Sequence, residues 1–143
     1  MKQETAIKII CTLLVFLFVY ASVSKFVSLA TFISDMNNQP FPAFIIPVLV
    51  WAVPLTELAI VMLLIFDTTR LIGLYASFIV MIAFTLYTAV VLLHFFKYIP
   101  CSCGGIIKNL SWQQHLVFNL FFVLISLIGI LKYPLKIKNY QTE

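Results

Sequence analysis

The sequence predicts an all-α fold, an integral membrane four-helix bundle with a short interfacial helix after its first span. Three observations predict it. Of 143 residues, 63% are hydrophobic and only 10% charged, against roughly 25% charged in ordinary soluble domains. Mean hydropathy is +1.10. Four apolar runs each come close to the about 20 residues that, at about 1.5 Å rise, cross a hydrocarbon core of about 30 Å. One transmembrane domain over residues 1–143 accounts for all of them, with no internal repeat, low-complexity tract or domain linker. The formal charge of +4 does not point to nucleic acid, because the basic residues flank apolar runs and do not gather on one segment. The expected partner of most of the surface is the lipid bilayer.

The first span is placed at about residues 6–23. Lys2 and Lys8 before an apolar run, with "YASVS" after it, have the outline of a cleavable secretory signal. Spanning length and Lys25, read as a flanking anchor, favour a retained helix instead. Cys11, inside the apolar run, is expected to be a small buried hydrophobe. Beyond Lys25, the residues Phe26, Leu29, Phe32 and Ile33 recur at helical spacing with Ser28, Thr31 and Ser34 between them, the pattern of a short helix on the membrane surface. Asn37, Asn38, Pro40 and Pro42 then turn the chain into the second span, at about residues 44–66.

Glu57 is the only acidic residue in the middle of a span. A carboxylate there costs a few kcal/mol unless it is paired, hydrated or protonated, so it should face the bundle. It could serve a proton relay, contact a quinone-like ligand or make a structural hydrogen bond, although no second intramembrane carboxylate completes a relay. Pro47 and Pro54 are expected to bend this span. Residues 67–70 form the next turn, and the third span covers about residues 71–96, with Tyr87 and His94 on one face. The fourth covers about residues 114–131. Its His115, Asn119, Ser126 and Gly129, spaced by four, seven and three, share the face expected to meet other helices. Glu57, Tyr87 and Asn119 are the candidate cofactor contacts, with a quinone as the candidate cofactor, and the residues alone name none.

Between the last two spans, over about residues 97–113, lies the polar segment "YIPCSCGGIIKNLSW". Pro100 ends one helix, Gly104 and Gly105 permit a sharp reversal, and Ser111 with Gln114 spells a capping box that starts the next helix. A disulfide between Cys101 and Cys103 is cramped, closes too short a loop to act as a staple, and is easily reduced. That suits exchange. Lys97 and Lys108 would favour the thiolate, and His94 or His115 could accept its proton. The same His94, Cys101, Cys103 and His115 could instead form a metal site, for which Cu(I) fits the spacing better than Zn. Two unremarkable loop cysteines in a non-catalytic accessory subunit of a larger membrane complex are a third reading.

Four spans place both termini and the Asp67–Arg70 turn on one side. That side carries Lys2, Lys8, Arg70, Lys132, Lys136 and Lys138; the other carries Lys25, Lys97 and Lys108. The positive-inside rule then puts the termini in the cytoplasm and the cysteine loop outside, in the periplasm for a protein of a bacterial inner membrane. Disulfides persist there.

Lys25 after "ASVS", "PLTEL" around Glu57, and above all "PCSCGG" before a Trp-containing start of the last span give the chain its resemblance to known proteins. It resembles the DoxX-like superfamily and, within it, the branch of the methylamine utilisation protein MauE, along essentially the whole chain. The resemblance implies a redox-associated four-helix membrane protein working with a thioredoxin-like periplasmic protein in disulfide formation or maturation of a secreted client. By it, Cys101 and Cys103 are the redox pair. Better understood four-helix membrane disulfide oxidases combine an intramembrane CxxC, a second loop pair and a quinone. This sequence has neither the CxxC nor the second outer pair, which points to an accessory redox role instead of self-contained electron transfer.

Overall fold

The structure, a computed structural model, describes residues 2–93 and 111–133. Within them the chain forms five helices: α1 (Lys2–Val27), α2 (Leu29–Asn37), α3 (Ile46–Ile65), α4 (Arg70–Leu92) and α5 (Trp112–Leu131). Four of these, all but α2, are long and apolar enough to cross a membrane. α1 packs on α3, α3 on α4, α4 on α5 and α5 back on α1, which closes a four-helix ring. The predicted fold class is therefore the observed one.

Helix ends follow local chemistry. α1 runs past Lys25 to Val27, further than the sequence-based boundary, and Ser28 alone separates it from α2. Phe26 accordingly belongs to α1, where it sits against Trp51, 6.5 Å between ring centroids. α2 buries Phe32 and Met36 against Ile46 and Val50 of α3, so the short amphipathic helix exists and its apolar face is used. Asn38 caps it, with its N–H shared between Asp35 and Met36 carbonyls, and Pro40 and Pro42 prevent its continuation. Pro47 stands in the first turn of α3, where a missing N–H costs nothing, so it starts the helix and does not bend it as expected. Pro54 is interior, and its carbonyl accepts a bond from Ser22 Oγ of α1 at 3.2 Å.

At the turn into α4, Thr69 Oγ1 donates to the Leu63 carbonyl (3.0 Å) and Arg70 Nε to that of Leu64 (3.3 Å), while Arg70 pairs with Asp67. Those bonds satisfy carbonyls that the end of α3 leaves over. α5 begins with the expected capping box: Ser111 Oγ accepts from Gln114 N–H (3.2 Å), and Ser111 N–H donates to Gln114 Oε1 (3.0 Å). Ser77, Thr85 and Ser126 each donate to the carbonyl four residues back, which satisfies hydroxyls where no water is at hand.

The bundle has two unlike ends. At one, the start of α1, the α3–α4 turn and the end of α5 meet, with Tyr133 Oη 3.5 Å from the Asp67 carbonyl. Here glycines permit close approach: a Cβ on Gly73 would lie 2.9 Å from Leu64 N, and one on Gly129 would lie 3.0 Å from Leu74 Cδ2 and 3.2 Å from Ile10 Cγ2. At the other end are the close of α1, α2, the start of α3, the close of α4 and the start of α5.

Candidate functional site

The second end is hollow. A cavity of about 380 Å³ lies there, walled by all five helices and by Gln39 and Phe41 of the connection after α2. Most of its wall is hydrocarbon and aromatic, from residues such as Leu17, Phe18, Phe32, Val53, Phe84 and Phe118. Four of the residues singled out in the sequence, Glu57, Tyr87, His115 and Asn119, meet on this one cavity, although they come from three separate helices.

On the α1 and α3 wall, Lys25 Nζ stands 2.9 Å from Glu57 Oε1 and 3.2 Å from Oε2, and also donates to the Ala21 carbonyl at 3.2 Å. The ammonium and carboxylate are 5% and 1% exposed as residues. Bonding to the carbonyl four residues earlier means that the Lys25 side chain runs back along α1 into the bundle. It does not reach outward to an interface, as a flanking lysine would, and the reading of Lys25 as an anchor is corrected. The reason is Glu57: two charges that neutralise each other and share hydrogen bonds are tolerated where either alone is not. The Phe32 ring of α2 lies 5.9 Å from Nζ, within cation–π range.

On the α4 and α5 wall, Tyr87 Oη donates to Gln39 Oε1, and Gln39 Nε2 donates to the Asp35 carbonyl at 3.2 Å. Gln39 is thereby buried, although it lies in a connection. Asn119 Nδ2 donates to Thr88 Oγ1 at 3.3 Å, and Thr88 Oγ1 donates onward to the Phe84 carbonyl at 2.8 Å. His115 is buried between aromatic rings, edge-on to Trp112 (6.5 Å) and stacked with Phe118 (6.4 Å). The whole polar stripe of α5, His115, Asn119, Ser126 and Gly129, is buried within the chain's own bundle, as its spacing implied for a face that meets other helices.

Lys25, Gln39 and Thr88 are the three polar residues of the cavity that sequence reasoning did not place there. For Lys25 a signal existed, since one cation and one carboxylate interrupt otherwise apolar helices. For Gln39 there was none beyond its company of prolines. Cys11 is buried, as expected, and is a free thiol. His94, Cys101 and Cys103, with Lys97 and Lys108, lie outside the described residues. Of the four candidate metal donors only His115 is among those described, and no group of three or more His, Cys, Asp or Glu able to hold a metal occurs among the described residues.

This arrangement can bind and orient a small membrane-soluble molecule, because it couples a hydrocarbon wall to hydrogen-bonding groups that converge from two sides. No curated protein and no solved structure matches the chain. The family model of the methylamine utilisation protein MauE matches residues 3–132, all four spans included, and the chain belongs to the MauE family.

Proposed function

We propose that this chain is a membrane-embedded thiol–disulfide exchange protein in which Cys101 and Cys103 form the exchanging pair. The observation that carries the reading is the sequence "PCSCGG", which falls between α4 and α5 in the chain. A two-residue spacing gives a strained, easily reduced bond. Membership of the MauE family and the resemblance of the same motifs to the DoxX-like superfamily support a redox role. The partner is a thioredoxin-like periplasmic protein or a secreted client that presents its own thiol pair. In exchange, one client thiolate attacks one sulfur of the loop disulfide, releasing the other as thiolate; the second client thiolate then resolves the mixed disulfide. The client leaves oxidised and the loop reduced, with electrons balanced. His115 is the proposed proton acceptor from the described residues, with His94 as its counterpart across the loop.

The orientation belongs to the same reading: termini in the cytoplasm, loop in the periplasm, protein in a bacterial inner membrane. Its charge argument is sharpened by the Lys25–Glu57 pair, because a lysine neutralised inside the bundle no longer counts toward the outer side. A membrane-impermeant thiol reagent applied to reduced spheroplasts should label the loop pair, and labelling only after lysis inverts the topology.

The function itself is tested by replacing Cys101 or Cys103 singly with Ser and quenching cells with acid. At least one variant should hold a mixed disulfide with a defined protein that reductant releases. If neither variant captures any partner, the exchange reading fails.

A further inference from the structure

Physical constraints on the cavity narrow what can fill it. Native interiors are packed to about 0.74–0.76 of their volume, whereas about 380 Å³ stands open among the helices here. That is within the range of sites that hold small ligands, about 300–1,000 Å³. The site lies among membrane-spanning helices and its wall is mostly apolar, which favours an occupant soluble in hydrocarbon. Among the described residues its only formal charges, Lys25 and Glu57, bond to each other at 2.9 Å. No net charge is left to hold an ionic head, which argues against fatty acids and phospholipid headgroups as occupants.

Shape and polarity narrow it further. Flat rings form part of the wall, with Phe41 stacked on Tyr87 (5.8 Å, 21° between planes) and His115 stacked on Phe118 (6.4 Å, 15°). Polar groups stand on two facing halves of the ring of helices, Lys25 and Glu57 on α1 and α3, and Tyr87, Thr88, His115 and Asn119 on α4 and α5. A matching head is flat, uncharged, and polar at two opposite edges. The wall also mixes donors with acceptors. Asn119 has two amide hydrogens, of which one goes to Thr88, and Glu57 and Gln39 bring oxygens. A site so equipped can meet carbonyl oxygens and, equally, the hydroxyls they become on reduction.

We infer that this cavity binds the head of a lipid-soluble quinone, in its oxidised and reduced forms, between the Lys25–Glu57 pair and the Asn119 amide. The ligand assignment stands on the cavity alone, while its redox use rests on the thiol–disulfide reading above. In that use two loop thiols become one disulfide, and the two electrons and two protons they give up convert the quinone's two carbonyls into the two hydroxyls of the quinol.

The test uses the full chain in detergent, with decylubiquinone as probe and Trp112 fluorescence as readout. Trp112 lines the cavity, and the only other tryptophan, Trp51, which is 52% exposed, is removed by Trp51→Phe. Saturable quenching is expected, and Asn119→Leu should weaken it by roughly tenfold, the equivalent of one hydrogen bond. Val53→Phe, which fills the cavity and leaves every polar group in place, should weaken it at least as much while the thermal transition is kept. The Cys101→Ser, Cys103→Ser double variant should bind with unchanged affinity. Linear quenching that neither variant alters overturns the assignment, and so does equal competition by decylbenzene, which has the tail and ring without the carbonyls. Intact binding in a protein that captures no thiol partner overturns the exchange reading and leaves the quinone site standing.

Discussion

The two ends of this bundle solve opposite problems with the same four spans. At the end where α1 begins, glycines let helices touch: Gly73 admits the α3 backbone and Gly129 admits Leu74 and Ile10, and Leu14, Leu64 and Leu74 are 0–1% exposed. At the other end, bulky aromatic rings and paired polar groups hold the helices around a space. Apolar packing cannot distinguish bundle interior from lipid, so small residues and hydrogen bonds decide where membrane helices meet. Here the small residues close one end, and the polar groups open and line the other.

The largest effect expected from disturbing this contrast is at the ion pair. Lys25→Met or Glu57→Leu alone strands a buried charge and should cost about 3–5 kcal/mol, read as loss of the folded fraction in an SDS titration of the detergent-solubilised protein. The double variant should recover most of that loss. If the single variants unfold no earlier than the parent, the charges are not buried against each other. Next in size, Gly129→Leu overfills the closed end and should cost about 1–3 kcal/mol. Ala21→Leu at the hollow end, facing the cavity, should cost less than Gly129→Leu in the same titration; equal losses would erase the distinction between the two ends. Ser111→Ala, which removes the cap of α5, should cost about 1 kcal/mol. Thr88→Val deletes the acceptor of the Asn119 amide and should cost about 0.6 kcal/mol, the average for hydrogen bonds between membrane helices.

Much of this architecture is legible in the residues, and the reasons differ between parts. The spans are legible because the bilayer imposes a length on any apolar run. The start of α5 is legible because a capping box is settled by residues three apart, Ser111 and Gln114. The face of α5 that carries His115, Asn119, Ser126 and Gly129 is legible because its spacing repeats the helix turn. The pairing of Lys25 with Glu57 is of another kind, since its partners stand 32 residues apart and a lysine at the close of an apolar run has the local pattern of an interfacial anchor. Only packing of α1 on α3 shows which it is. Gln39 is harder still, because its burial depends on Tyr87, 48 residues away. The cavity follows from such long-range contacts together, and no single run of sequence announces it.

Cys101 and Cys103 are proposed to cycle between thiol and disulfide, and their redox state in growing cells tests this most directly. In a Cys11→Ala background, acid quenching followed by mass-tagging of free thiols reports only the loop pair. Two populations are expected, untagged and doubly tagged, that shift toward the doubly tagged form when cells are given reductant and back when it is removed. A pair that stays doubly tagged under every condition, with no untagged form at any time, would contradict it.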